Sequence, residues 1–488
     1  MKFSFKKIKL LVLPLSLCLG SLCAAVHLPK AIPNPNPNQT PVLSPVLPST
    51  DLPFQVQIEQ AAFQLPNGIH SGVFATYRGL WLLLAGRTNG MHTFDNNNNN
   101  FPPQEQNQIV YVVDPVNQIV YSRALTGPGS GLTQRQIDSL SVTSPQFYQT
   151  EKTLYVTGGY GVNTATGIFS TKDVLTAIDI KGLINWVIFP LSTGTAAEHI
   201  RQTSHPVFKV TGGEMFQLGD NPTLLIFGQD FAGFYLPGSN GFYTKQVRRF
   251  YIIDDGVDLD VEVVQAKPKH GDPSFRRRDL NILPTVYEKH GQLHARYVAF
   301  SGVFTPLDGM WTIPVNISPR GSTSMKSPAS EDSFKQAMNN YVCAAVGLFS
   351  KESAEMFNVF FGGISFGFFN SNGVFTTDSE LPFINQITTV KISKHDKFEQ
   401  FLMNSEYPVI PSTGSNPGNP LLFGAGALFV LPENAPKYSN NVLKFDEVSS
   451  GPTLIGYIVG GIMSTVPNTE SASDSAASPY IFRVTLVP

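Results

Sequence analysis

One short pattern recurs along almost the whole chain, and that recurrence restricts what it can fold into. A run of β-branched and aromatic residues ends in Gly-Gly or a near relative. A variable loop follows, and then a second alternating run that often closes on Asp. The copies read LWLLLAG (80–86), LYVTGG (154–159), LLIFGQ (224–229), RYVAFSG (296–302), NVFFGG (358–363) and YIVGG (457–461). The period inside each run is two rather than 3.6, as in IVYVVD (109–114) and VLTAID (174–179), so these are short strands. A strand whose end crowds against neighbouring backbone has to turn without a Cβ, which accounts for the glycines.

The last copy stops one strand short. It holds NPLLFGAGALFVLP (419–432), LIGYIVGG (454–461) and YIFRVTLV (480–487), and no fourth strand follows. A spare one stands at the other end, FQVQIEQ (54–60), alternating apolar and polar with no unit of its own. Sheets set around an axis leave edges open unless the ring closes. The expectation is an all-β, six-bladed β-propeller with four-stranded blades over residues 54–488, closed by the N-terminal strand completing the last blade. Within it, NWVIFPL (185–191) is expected as the outer strand of the second unit and HPVFKV (205–210) as the strand that opens the third.

The region before residue 54 has a different character. Lys2, Lys6, Lys7 and Lys9 precede an apolar stretch over 10–23, and Cys23-Ala24-Ala25 offers a small-residue cleavage site. Residues 1–25 read as a signal peptide and 26–53 as a Pro-rich linker that forms neither ladder nor helix. Export to the periplasm, the outer envelope surface or the medium follows from that reading. Lipidation at Cys18 or Cys23 is disfavoured, because Leu stands where a small residue is wanted. No transmembrane helix is expected in the mature chain, and peripheral envelope association is compatible with it.

Charged residues make up only 14% of the chain and the net charge is −2, so no basic surplus exists to meet a nucleic-acid backbone. The run Arg276-Arg277-Arg278 reads as a solvated turn. After signal removal Cys343 is the remaining thiol, in the apolar YVCAAVGLF, and reads as a buried free cysteine.

Long loops follow the second strand of most units: 87–107, 160–172, 230–246, 364–383 and 462–479. They occupy equivalent points in the repeat and should project from one face. Phe and Tyr stand there among Asn, Ser, Thr and Gly, which suits a protein or a surface glycan. The candidate binding residues are Arg87, Tyr160, Asp230, Phe234, Tyr235, Arg249, Phe368 and Phe369. No HExxH, GxSxG or closely spaced His/Cys group occurs, so no catalytic residue, metal or cofactor is assigned. Asp114, Asp179, Asp254 and Asp446 follow alternating strands and read as turn caps.

The unit resembles a kelch repeat: strand, strand ending in Gly-Gly, variable loop, strand often ending in Asp. Trp186 fits the outer-strand place where that family carries tryptophan, whereas Trp81 and Trp311 do not. The resemblance implies a β-propeller and leaves function open. Kelch-like copper oxidases use an aromatic–cysteine crosslink with histidine ligands, and no ligand pattern accompanies Cys343. Periplasmic sialic-acid mutarotases also resemble this architecture, and that likeness implies Arg and acidic side chains converging in the channel, with Arg87, Arg248, Arg249 and Asp230 near candidate loops. The primary expectation is a non-enzymatic extracytoplasmic binding or scaffold protein. The alternative is a periplasmic sugar-processing enzyme.

Overall fold

Near-continuous apolar runs such as Leu80–Leu84 and Ile109–Asp114 let the inner strands of each short sheet be buried on both faces between neighbours. A computed structural model describes residues 42–96, 99–191, 194–236, 239, 241–306 and 309–488. The expected signal peptide, and the expected linker as far as residue 41, lie outside the described residues. Within the rest of that linker, Val46–Pro48 runs parallel to Lys397–Glu406 as an edge strand.

The fold is β-propeller-like, built from small antiparallel sheets. The first blade holds Val73–Tyr77, Leu80–Leu84, Ile109–Asp114 and Ile119–Ala124. The second holds Gln146–Gln149, Thr153–Thr157, Val174–Asp179 and Ile200–Ser204. The third holds Glu214–Phe216, Thr223–Ile226, Val247–Asp254 and Leu259–Lys267. The fourth holds Asn281–Lys289, Gln292–Phe300, Val315–Ile317 and Thr323–Met325. The fifth joins Leu428–Val430, Thr453–Val459 and Tyr480–Val487 to the N-terminal strand Gln55–Gln64, which pairs antiparallel with Tyr480–Val487.

The expectation of six four-stranded blades is corrected here. Among the described residues there are five four-stranded blades, one further sheet of six strands, and four two-stranded hairpins. In that sheet Ala344–Ser350, Glu355–Ile364, Phe383–Ser393 and Lys397–Glu406 are extended at both edges, by Leu443–Lys444 and by Val46–Pro48. Both added strands run parallel to their neighbours, which no hairpin can produce. They come from distant parts of the chain and leave no local signal.

Two strand expectations inside the blades also change. NWVIFPL is not a strand: Ile180–Ile188 is an α-helix, and Ile200–Ser204 takes the outer edge of the second blade. Ile180, Leu183, Ile184 and Val187 stand at i, i+3, i+4 and i+7, a helical stripe that packs against the first two blades. HPVFKV forms a 3₁₀ turn at Pro206–Phe208, and the third blade opens at Glu214 instead. Pro206 fits the first position of such a turn, where its missing N–H costs nothing.

The core is divided into seams between neighbouring sheets. Leu82, Val112, Leu154 and Trp186 fill the seam between the first two blades. Phe208, Leu225 and Phe250 fill the next, and Phe227, Tyr297 and Val315 the one after it. Phe300 and Phe360 join the fourth blade to the six-stranded sheet, which meets the fifth blade through Phe357, Ile458 and Phe482. Trp81, Tyr111, Val459 and Ile481 pack the fifth blade onto the first. Cys343 is buried and free. No helix among the described residues is long and apolar enough to cross a membrane.

Candidate functional site

The sheets are tied together at the heads of their first strands. Three residues before each such strand stand His70, Thr143, Thr211, Arg278, Tyr341 and Ala425. The residue after each has a left-handed backbone: Ser71 at φ 52°, Ser144 at 49°, Gly212 at 67°, Asp279 at 49°, Val342 at 45° and Gly426 at 65°. That turn aims the backbone polar groups at the next sheet. Ser144 N–H donates to Ser71 C=O at 2.9 Å, Gly212 N–H to Ser144 C=O at 3.1 Å, and Asp279 N–H to Gly212 C=O at 2.8 Å. Gly426 N–H donates to Val342 C=O at 2.6 Å, and Ser71 N–H to Gly426 C=O at 2.9 Å.

The same positions pair with residues just beyond the glycine-ended strands: His70 with Arg87, Thr143 with Tyr160, Thr211 with Gln229, Arg278 with Val303, and Tyr341 with Ile364. The glycine pair makes this approach possible. At Gly158, φ is +66° and a Cβ would lie 2.0 Å from the Val210 carbonyl oxygen of the next blade. The repeat therefore delivers one strand-head residue and one loop-base residue per sheet to a common mouth.

Chemistry gathers there from several sheets. Arg278, 4% exposed, donates from Nε to Asp279 Oδ2 at 3.2 Å and from Nη2 to Tyr235 Oη at 3.1 Å. Its guanidinium also lies over the rings of Tyr243 and Phe304. Its Nη1 is buried with no hydrogen-bond partner, as is His70 Nε2. Arg87, 2% exposed, donates from Nε to Asn89 Oδ1 and from Nη2 to the Pro102 carbonyl, both at 2.9 Å, and lies over the Phe101 ring. His92 packs between Phe101 and Tyr235, with ring centroids at 5.0 and 4.8 Å. Those three rings form a roof over the mouth. Met91 N–H donates to Ser475 Oγ and Asn100 Nδ2 to the Tyr235 carbonyl, both at 2.8 Å, so the 87–107 loop bridges the fifth-blade and third-blade hairpins.

Burial sets the protonation states. Burial raises the Asp279 carboxyl above its ordinary value, with Arg278 opposing. Burial disfavours the Arg278 charge, but Asp279 and the neighbouring phenols outweigh it, and the pKa of Arg278 moves up. His70 falls to about 3 and His92 to about 4, both chiefly through burial with cationic neighbours adding to it, so both are neutral at neutral pH. Arg87 is lowered by burial to about 10 and keeps its charge. Both cations therefore have a carboxylate near them, Asp279 beside Arg278 and Glu105 beside Arg87.

Of the residues expected to bind, the structure brings Arg87, Tyr160 and Tyr235 into this cluster. Tyr160 donates to the Gly233 carbonyl at 2.7 Å and its ring meets Phe101. Phe234 flanks it, 42% exposed against Phe169. Asp230 begins the third-blade hairpin, half-buried, with its pKa raised by burial against Lys209 and Arg248. Arg249 lies elsewhere, on the third strand of the third blade, with Nη1 donating to the Gln265 carbonyl. Phe368 and Phe369 belong to the separate hairpin Gly367–Phe369, where Phe369 packs on Phe375.

Sequence reasoning missed His70, His92, Arg278, Asp279 and Tyr341. The available signal was register: counting three back from each first strand finds His70, Arg278 and Tyr341. Arg276-Arg277-Arg278 is not a solvated turn either, since Arg277 is fully buried and Arg278 nearly so. Among the described residues no group of three or more His, Cys, Asp or Glu could hold a metal ion.

No family model and no curated relative matches the sequence. Among solved structures the chain is similar to one titled "Structure of YjhT", at 12% identity and a TM-score of 0.44, over 87% of this chain and 99% of that one. With no family model matching, the kelch assignment is reduced to the β-propeller-like fold that the sheets themselves form. The expectation of a non-enzymatic protein with an open, loop-borne recognition face is also corrected. The loop rings turn onto one another and cover a buried Arg/Asp/Tyr/His centre rather than presenting their aromatic side chains outward.

Proposed function

We propose that this chain is a sugar-processing enzyme whose acid–base chemistry takes place at the mouth formed by the strand heads. The observation that carries the reading is the Arg278–Asp279 pair, 3.2 Å apart, whose guanidinium keeps a buried Nη1 without a partner. Such a donor suits the carboxylate of a small acidic sugar. Asp279, its pKa raised by burial, holds a proton more readily than an ordinary carboxyl does and is the acid–base group of the pair. His70 and His92, held neutral by burial, offer ring nitrogens for hydrogen bonding in the same neighbourhood, and His70 Nε2 has no partner.

This set of groups supports reversible opening of a sugar ring. A base removes the anomeric hydroxyl proton while an acid protonates the ring oxygen. The ring C–O bond breaks as the carbonyl forms, and reclosure on either face exchanges the anomers. No redox partner is needed. Substrate reaches Arg278 once the roof of His92, Phe101 and Tyr235 parts.

Anomer exchange of acidic and neutral reducing sugars, followed by NMR magnetisation transfer, tests the reading. The parent protein should accelerate exchange of an acidic sugar. Asp279→Asn should reduce kcat by about 100-fold or more, in line with loss of a general acid–base group. Asn tolerates the left-handed backbone at this position, so the fold should persist. Arg278→Lys should raise KM for the acidic sugar more than for a neutral one. No acceleration by the parent protein, or equal rates for parent and Asp279→Asn, would refute the proposal.

A further inference from the structure

A second cavity lies on the flank between the first two blades, beyond the base of the mouth. Its volume is about 430 Å³, and it is lined by Gln104, Gln106, Gln108, Asp138, Ser141 and Thr164, with Pro103 and Val162. That size falls within the range of small-molecule sites. Backbone pairing of Gln106 with Arg87 connects it to the mouth, and Val162 follows Tyr160 on the same hairpin strand.

Part of its polar lining is fixed by the fold. Gln106, 6% exposed, donates to the Ser141 carbonyl and accepts from Val162 N–H. Asp138, 8% exposed, accepts from Thr164 N–H at 2.8 Å, from the Thr164 hydroxyl at 2.5 Å and from Gln134 Nε2 at 2.8 Å. The carboxylate is thus occupied and oriented.

The rest of the lining is unspent. The hydroxyl of Ser141, a residue 2% exposed, has no hydrogen-bond partner. The amides of Gln104 and Gln108 form no side-chain hydrogen bond among the described residues. Lys172, the cation beside Asp138, is committed to the Val162 carbonyl at 2.7 Å. The free groups are therefore uncharged amides and a hydroxyl, each able to donate and accept. That pattern matches vicinal hydroxyls and matches a fixed anion poorly.

We propose that this flank cavity binds a neutral saccharide, with the Gln104 and Gln108 amides and the Ser141 hydroxyl reading its hydroxyl groups. The site is separate from the mouth, and its binding does not depend on turnover there. A saccharide chain held on the flank would present an end toward the strand heads.

Titration calorimetry with maltose, lactose and chitobiose tests it on the full chain. At least one should bind with millimolar affinity. The double variant Gln104→Ala/Gln108→Ala should weaken that binding at least ~10-fold, equivalent to about 1.4 kcal/mol. Ser141→Ala, a smaller change, should weaken it less, and both variants should keep the parent's circular dichroism. Arg278→Lys should leave it unchanged. Absence of binding by all three sugars would overturn the proposal. So would an affinity indifferent to the glutamine substitutions, or one lost with Arg278→Lys.

Discussion

Arg277 carries a charge with no carboxylate beside it. It is fully buried, donates to the Ser301 and Ile313 carbonyls at 3.1 and 2.8 Å, and lies over Trp311. Burial lowers its pKa to about 9. Its neighbour Arg278 has the carboxylate and keeps an unused donor, so two adjacent arginines divide between holding the fold and forming the site. Glu214 is a third uncommon case. It heads the first strand of the third blade, half-buried, and burial alone raises its carboxyl to about 8. The folded chain then holds a proton that the unfolded chain releases near 4.5. The stability linked to it is fully present below 4.5 and is lost as pH rises through about 8. Glu214→Gln should leave the melting temperature unchanged near pH 4 and raise it at pH 9, by stability on the order of 2–4 kcal/mol. His70 and His92 act in the opposite sense, with stability present above 6.5 and lost as pH falls through about 4 and about 3. The difference between variant and parent melts isolates Glu214, and parallel melt-versus-pH curves would refute the assignment.

The helix Ile180–Ile188 shows how an element escapes a period-two reading. The outer-strand place expected for Trp186 is filled twelve residues or more later in the chain, by Ile200–Ser204. Trp186 is instead fully buried, donates from Nε1 to the Gly129 carbonyl at 3.0 Å, and lies under the Arg123 guanidinium at 4.1 Å. Arg123 belongs to the outer strand of the first blade, so this side chain connects the helix to a sheet other than the one it follows. Trp186→Ala should destabilise the protein by about 3–5 kcal/mol, the usual cost of deleting a buried large aromatic side chain. Chemical denaturation would show it. Replacement by Phe should recover most of the packing and lose the hydrogen bond, so a Phe variant as unstable as the Ala variant would contradict the packing account.

At the scale of the whole molecule, the fifth blade is assembled from both ends of the described chain. Val56 and Ile58 are buried on it, and Gln55–Gln60 pair residue by residue with Val487–Phe482. Removing residues 54–64 would expose the edge of Tyr480–Val487 and the apolar faces beneath it. We expect that deletion to abolish the cooperative melt and make the 480–487 region sensitive to protease, as read by limited proteolysis with mass spectrometry. Retention of the parent melt would contradict the closing role of this strand. The strand-head hydrogen bonds from Ser71 to Ser144, Gly212 and Asp279 act at the same scale, because each ties one sheet to the next. They also fix where Arg278 and Asp279 stand, so loss of closure should abolish turnover with stability.

Alternation, glycine-ended strands and an unmatched first strand are local properties, and they suffice to define repeated antiparallel sheets and to place Arg87 and Tyr235 between blade strands, whereas Tyr160, expected on a loop, begins the hairpin strand Tyr160–Asn163. Period-two patterning reports which side chains face inward, whatever lies opposite. It carries no information about parallel edge strands, which is why Val46–Pro48 and Leu443–Lys444 were missed and the expected blade set was wrong. Nor does it show that Arg278 is buried, since a run of arginines looks solvated until neighbouring sheets close over it. Only the tertiary structure brings His70, Arg278 and Tyr341 to equivalent strand heads and folds the aromatic loops across them. Their proximity arises between sheets far apart in the chain, where electrostatics and burial depend on distance in space rather than on spacing in sequence.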